Sequence, residues 1–554
     1  MQISLPTRRP LDDEGFQVVI IGGGINGVAI ARECALRGKR TLLLEQHDFG
    51  SGTTSRSTRI IHGGLRYLEH GELGLVREAA RERRRLLQDK PHLVRPVEFL
   101  LALDEHSRRS ALAVRAGLWL YRHLGGPGVG IAPSRARQKT LERLLDSGRR
   151  WSIFSFEDAQ CEFPERLVSE WLTEAMEAGA TTRNHAEVLS VEISRGHVKG
   201  VLLRDRFTRQ EERVSAEWII NAAGPWADEL CRRSQIRTSR PMIGGIRGSH
   251  IVVSRFPGAP EAAVYTEAID GRPIFVVPWN NQLLVGTTEV PDRNDPAQVS
   301  PSKEEIEYLL RSLRQLFPAV SCQQDVHYAF AGIRPLPFSD KQKISAISRR
   351  HFLHDHTEEG AAGMISVIGG KLSTAAQLAR ECGARLGIRS ARENATSSVS
   401  TEDLDAVVHR AVRQISEIGS LSEASARAVL EWHGRRATII ARMARSSPQM
   451  SAKLCSHSDH IVAEAVDAFG NESATTLADV LLRRVPIAFN ACWSQECAQE
   501  AGSRIAAVFG WDQYRLGREL EAFETERAGF LRKPVSDSPL QTNAEPHPAA
   551  PVPK

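Results

Sequence analysis

The spacing Gly22-x-Gly24-x-x-Gly27 is the first place in this chain where residue type and position together imply chemistry. Four β-forming residues, Val18 to Ile21, run into it, and a helix-forming stretch through Ala29, Ile30 and Leu36 leaves it, stopping at Gly38. Glycine lets the turn close, lets backbone approach a pyrophosphate, and lets the helix pack on its strand; the helix N-terminus offers N–H groups to phosphate oxygens. Ile25 and Asn26 fill the intervening positions and join the candidate cradle. A second strand, Thr41 to Leu44, ends at Glu45, whose carboxylate suits a ribose diol and repels a 2′-phosphate.

Three later clusters extend that cradle. Ser57 and Thr58, followed by His62, Gly63, Gly64 and Leu65, offer hydroxyls and glycine amides directly after the second strand. Asn221-Ala222-Ala223-Gly224-Pro225-Trp226 ends a strand in small residues, as required where backbone lies against a dinucleotide, and Ala222, Gly224 and Trp226 are taken as contacts, with Val188 beside them. Gly370-Lys371-Leu372-Ser373 ends the last strand and opens a helix, so its amides and the lysine can stabilise negative charge on a reduced ring. The combination points to FAD rather than NAD.

These motifs need a scaffold, and the periodicity supplies one. Trp218 to Ala223 and Met364 to Ile368 read as further strands of the nucleotide fold, whereas Ile251-Val252-Val253, Ile274 to Val277 and Leu283 to Val285 are short strands between turn residues, as in an antiparallel sheet. The expected architecture is α/β: a Rossmann-like FAD-binding domain (15–75, 150–235 and 350–394) interleaved with an antiparallel-sheet substrate domain (76–149 and 236–349). An all-helical C-terminal domain (395–532) and a disordered tail (533–554) follow. Thr476 with Asp479 forms a capping-box pattern whose helix is expected to run on to Pro486, and a later helix spans about Gln495 to Phe509.

The 554 residues carry a net charge of +5, with 25% charged and 41% hydrophobic residues, an ordinary globular balance that tolerates an anionic substrate or membrane surface. No nucleic-acid-binding signature accompanies it. The eight cysteines include no CxxC pair and read as reduced, buried thiols of a cytoplasmic protein. Cys455, His457, His460, Cys492 and Cys497 fit no zinc spacing, so no metal is expected. Asp12, Asp13 and Glu14 precede the first apolar run, unlike a secretory signal, and no run is long enough to span a bilayer, which leaves peripheral membrane contact open.

The sequence resembles the FAD-dependent glycerol-3-phosphate dehydrogenases over about residues 15 to 390. The resemblance is carried by Ile20 to Gly27, Ile61-His62-Gly63-Gly64-Leu65-Arg66-Tyr67-Leu68-Glu69, Gly248-Ser249-His250-Ile251-Val252-Val253, Gly286-Thr287-Thr288, Gly332-Ile333-Arg334-Pro335-Leu336 and Gly369-Gly370-Lys371-Leu372. It implies oxidation of sn-glycerol 3-phosphate to dihydroxyacetone phosphate at the inner face of a cell membrane, with electrons passed to a quinone or, in an oxidase variant, to oxygen. Arg334 is the first candidate for a phosphate anchor, with Arg349 and Lys371 matching further family positions. Arg66, Tyr67 and His250 are expected at the carbinol end and Thr287 among the catalytic residues, with His250 a candidate base and Lys371 or Arg66 a candidate alkoxide stabiliser.

The chain departs from the family at Ala375-Ala376, where a Tyr-Arg pair usually stands, and more mildly at Ala29 and Glu33. Two alternatives stay open on sequence: a flavin oxidoreductase acting on an amino acid or 2-hydroxy acid, and a non-catalytic flavoprotein that binds a partner. Oligomeric state, including a homodimer, is not specified. Trp119 and Tyr121, near Arg115 and Arg122, read as core and rim of the substrate domain or as a membrane-facing helix.

Overall fold

Strand β1 (Phe16–Ile21) is buried along its last four residues and pairs in parallel with β2 (Thr41–Leu44) on one side and with Glu211–Asn221 on the other. Ile21 lies level with both Leu44 and Asn221, so three strands end together where helix α1 (Ile25–Leu36) begins. That convergence of strand ends is where open α/β sheets bind ligands. In this computed structural model the described residues are 10–11, 15–68, 71–125, 134–318, 326–340, 347, 349–388, 404–492 and 494–531; the side chains of Arg66 and Tyr67 and the expected tail 533–554 lie outside them.

The sheet has eight strands. Thr181–Arg183 continues it beyond β2, while Met364–Ile368 and then Phe352–Asp355 continue it beyond Glu211–Asn221. A hairpin of Ala186–Ser194 and His197–Asp205 joins at one side. A second, nine-stranded sheet is antiparallel apart from one parallel pair, and near one edge its strand Ile246–Ser254 lies between Gln282–Gly286 and Val326–Arg334. The two sheets exchange the chain repeatedly, as the alternating patterns imply. One stretch falls differently: Ser152–Cys161, expected with the nucleotide half, pairs along ten residues with Val94–Leu103 in the antiparallel sheet, and Ile60–Ile61 pairs with it there.

From Leu404 to Phe530 the elements are helical. Thr476 and Asp479 make the expected capping box, but α-helix covers only Leu477–Asp479 before a wider π turn, Val480–Arg484, closed by Val485 N–H on the Val480 carbonyl at 2.8 Å. The extra residue in that turn brings Arg483 and Arg484 side by side onto one buried carboxylate, Asp48, in the loop after β2.

Arg59 is the junction of all three parts. Fully buried, it grips Glu165 through two 2.9 Å hydrogen bonds and lies over the rings of Trp279 and Phe489 at 4.4 and 5.0 Å. Of the pair read as core and rim or as a membrane-facing helix, Tyr121 is core, and Trp119 is 61% exposed with its ring tilted against that of His123. Among the cysteines, Cys492 and Cys497 come together with His457, with Cys455 beside Cys497, whereas His460 turns away to Glu464.

Candidate active site

A cavity of about 450 Å³ runs from Glu45, past the glycine turn and residues 51–59, to Arg272 and Arg334 between the two sheets. Its walls include Gly22, Gly24, Ile25, Asn26 and Glu45 from the first motif, and Ser57, Thr58, His62 and Leu65 from the second. Val188, Ala222, Gly224 and Trp226 line it on the other side, and Gly370, Lys371 and Leu372 close one end. Gly27, Gly63, Gly64 and Ser373 lie behind this wall rather than in it.

Those four act through packing. A Cβ on Gly27 would sit 1.8 Å from the Gly22 carbonyl oxygen, so only glycine lets α1 lie this close to its strand. Gly63 donates its N–H to Asp158 at 3.0 Å, and a Cβ there would strike the Tyr121 hydroxyl, itself donating to Asp158 at 2.8 Å. Arg83 completes that buried carboxylate's partners. Gly64 has φ +84°, and Ser373 is buried in the turn after Lys371. Asn26 donates to the Gly369 carbonyl at 3.2 Å, tying the first motif to the last.

At the far end Arg334 and Arg349 converge on one carboxylate that the sequence reading did not single out. Glu289 Oε1 lies 3.0 Å from Arg349 Nη2 and 3.4 Å from Arg334 Nη1, while Arg334 Nη2 donates to Thr287 Oγ1 at 3.0 Å. Arg272 donates to the Glu289 carbonyl at 3.1 Å. Gly248 has no side chain because a Cβ would lie 2.9 Å from that Arg334 nitrogen. Buried Glu305 braces the loop, accepting from Thr288 at 2.6 Å and Ser249 at 2.9 Å. The available signal was position: Glu289 follows the Gly-Thr-Thr motif directly.

His250 is 2% exposed, shares a 2.9 Å hydrogen bond between its Nε2 and Thr58, and stacks on Phe330 at 5.1 Å. Burial, reinforced by Arg334, pushes it down to about 3, so it is a neutral imidazole and a weak base. Burial likewise lowers His62 to about 4. Lys371, desolvated and close to Arg349, falls to about 7, within reach of proton transfer at neutral pH. Arg66 and Tyr67 sit on the short helix Leu65–Leu68. Arg56, a cavity residue also missed from sequence, lies 5.0 Å over the ring of Phe530, which brings the last described helix up behind the 51–59 segment.

Residues 17–376 match the family described as FAD dependent oxidoreductase, and 365–516 match the C-terminal domain of alpha-glycerophosphate oxidase. Along 500 residues the chain is 35% identical to a glycerol-3-phosphate dehydrogenase of Synechocystis sp., covering 86% of this chain and 90% of that one. The chain belongs to the FAD-dependent glycerol-3-phosphate dehydrogenase family. It is also 35% identical over 374 residues to a D-erythritol 1-phosphate dehydrogenase of Brucella abortus, covering 66% of this chain and 73% of that one. The structure of a Bacillus halodurans glycerol-3-phosphate dehydrogenase complexed with FAD shares the fold, with a TM-score of 0.74, 24% identity, and coverage of 94% and 95%.

The residues of this oxidoreductase fit FAD. Gly22, at φ +107°, keeps a side chain out of the space where the strand end meets Ala222, whose carbonyl oxygen a Cβ would approach to 2.5 Å. Glu45 is held at the end of β2 by the Gly23 and His47 amides at 2.7 and 2.9 Å. The family departure at Ala375 and Ala376 falls outside the cavity wall: Ala375 is fully buried in the core that holds α1, and Ala376 packs against it. Among the described residues no helix is long and apolar enough to cross a membrane.

Proposed function

We propose that the enzyme oxidises sn-glycerol 3-phosphate at C2 to dihydroxyacetone phosphate and passes the electrons to a quinone. The observation that carries this reading is the cluster of Arg334, Arg349, Arg272 and Thr287 at the cavity end beside Lys371 and His250. A phosphate dianion calls for convergent cations in a partly desolvated place, and two guanidiniums meet it with fixed donor geometry. Arg334 and Arg349 bind the phosphate, displacing Glu289, and Thr287 orients Arg334. Bound FAD supplies the hydride acceptor.

Lys371 takes the proton from the C2 hydroxyl, because burial and Arg349 poise it near neutrality, at about 7. Neutral His250, held by Thr58, orients that hydroxyl. Gly22 to Glu45, with Ser57, Thr58, Ala222, Gly224 and Gly370, hold the dinucleotide. Anaerobic mixing of the yellow holoenzyme with sn-glycerol 3-phosphate should bleach the flavin; a flavin that stays oxidised overturns the assignment. A four-carbon polyol phosphate and a 2-hydroxy acid run in parallel test for a longer polyol or a carboxylate substrate.

The quinone reading is supported by the helix Ala111–Gly125, where Leu112 and Trp119 are 77% and 61% exposed beside Arg115 and Arg122. An apolar and cationic face of this kind rests on an anionic bilayer, the medium of a lipid-soluble acceptor. Flotation with anionic vesicles, lost on Trp119→Ala, and reduction of a short-chain quinone faster than oxygen are the expected results.

A further inference from the structure

The C-terminal helical region holds a cluster of ligating side chains that the oxidation chemistry does not use. Cys492 Sγ lies 3.7 Å from Cys497 Sγ, and His457 Nδ1 lies 3.1 Å from Cys497 Sγ. The three ligand atoms all fall within 4.8 Å of one another. Cys455, 1% exposed, has its thiol near enough to that of Cys497 for the two to interact. Two sulfurs and one imidazole nitrogen thus meet at one point, with the Cys455 thiol beside Cys497 as a fourth candidate donor. In a tetrahedral site with zinc–sulfur bonds of about 2.3 Å, neighbouring sulfurs stand about 3.8 Å apart, close to the separation found here.

Neighbouring structure sets each donor in place. The loop bearing Cys455 and His457 is closed by the Leu454 amide on the His460 carbonyl at 2.7 Å and anchored by the Ser456 amide on Glu500 at 2.8 Å. Cys497 occupies the first turn of the helix Gln495–Phe509, where its amide donates to the capping Ser494 hydroxyl at 3.0 Å. A helix N-terminus favours anionic sulfur. Two other groupings of potential ligands are already neutralised, Asp48 and Asp479 by Arg483 and Glu472 by Arg166, while His354, His356 and Glu359 offer no sulfur. The thiol cluster differs in composition, being the soft donor set that zinc selects.

We propose that Cys455, His457, Cys492 and Cys497 bind one zinc ion as a structural site. The pattern Cys-x-His with Cys-x4-Cys joins three segments: the 452–461 loop, the turn after Ile487–Phe489, and the start of the following helix. Phe489, three residues before Cys492, accepts hydrogen bonds at its carbonyl from Tyr328, Gln282 and Asn280 at 3.0, 2.9 and 3.0 Å. The ion therefore fastens the segment that braces the far end of the antiparallel sheet, away from the cavity that carries the oxidation.

Metal analysis of the purified FAD holoenzyme tests this, with bound FAD as the control for folding. One zinc per chain is expected. Replacing it with cobalt should bring up the visible bands of tetrahedral thiolate coordination at wavelengths beyond the flavin's. Cys492→Ser should abolish stoichiometric zinc; His457→Ala, at an exposed position, should weaken zinc retention roughly tenfold or more while leaving FAD content and flavin reduction unchanged. If the reduced holoenzyme neither carries zinc nor takes it up on titration, the proposal fails. It also fails if Cys492 and Cys497 form a disulfide that returns after reduction in the presence of zinc.

Discussion

Glu289 accepts a hydrogen bond from Arg349 at 3.0 Å and stands 3.4 Å from Arg334, so the two guanidiniums share one internal carboxylate. A substrate dianion must compete with that charge. Neutralising it in Glu289→Gln keeps a hydrogen-bond acceptor and removes the competitor. The expected result is a KM for sn-glycerol 3-phosphate lower by roughly threefold to tenfold, a change of about 1 kcal/mol, with kcat little altered. A raised KM would mean that Glu289 serves chiefly to orient the arginines.

Arg334 is fixed by Thr287 on one side and Glu289 on the other. Truncation in Arg334→Ala removes a paired charge from a partly buried site, costing about 2 to 5 kcal/mol in substrate binding. Steady-state kcat/KM should fall by at least roughly thirtyfold while the flavin spectrum and FAD content stay as in the parent. An unchanged rate would remove Arg334 from the mechanism.

The pH profile separates the two candidate bases. Burial and Arg349 hold Lys371 at about 7, and burial and Arg334 hold His250 at about 3. If Lys371 takes the proton it must be neutral, so kcat/KM rises with pH and levels off above about 7. Lys371→Met should lose that limb and about 10²-fold or more in rate. A profile flat above pH 5 would point back to His250.

Three imidazoles withdrawn from solvent, His62 half-buried and His250 and His356 buried, set the acid limit of stability. His62 and His356 are held down to about 4 and His250 to about 3, against an ordinary 6.5, by desolvation first in every case. Between pH 6.5 and those values the unfolded chain binds more protons than the folded one, so stability is full above 6.5 and declines as pH falls through the window. Thermal unfolding followed from pH 7 to pH 5 should show Tm dropping, with a shallower slope in His250→Gln. An identical slope in that variant would show that His250 is not the origin.

Asp48 joins the loop after β2 to the helical region through Arg483 and Arg484. Asp48→Asn leaves two buried guanidiniums without their shared charge, and a loss of about 3 to 5 kcal/mol follows from breaking such a pair. Calorimetry should register a markedly lower Tm together with weaker FAD retention, because the same loop follows Glu45. Loss of stability with full FAD retention would confine the effect to the helical region.

The nucleotide half was legible in the sequence because its signals are local. Glycine positions, a continuous apolar strand before them and a helix after them occupy consecutive residues, and Gly22, Gly24 and Gly27 form the turn that those neighbours dictate, with Glu45 beside it at the end of β2. Capping at Thr476 and the helix ending at Gly510 were local in the same sense. Motif identity also picked out Arg334, Arg349, His250 and Lys371. What the tertiary structure decided was every relation between distant segments. Glu289 beneath two arginines, the π turn that aims Arg483 and Arg484 at Asp48, the transfer of Ser152–Cys161 to the other sheet, and the meeting of Cys455, His457, Cys492 and Cys497 depend on contacts across tens to hundreds of residues. Periodicity records which face of an element is buried but not what it is buried against, so partners remote in sequence are specified only by packing.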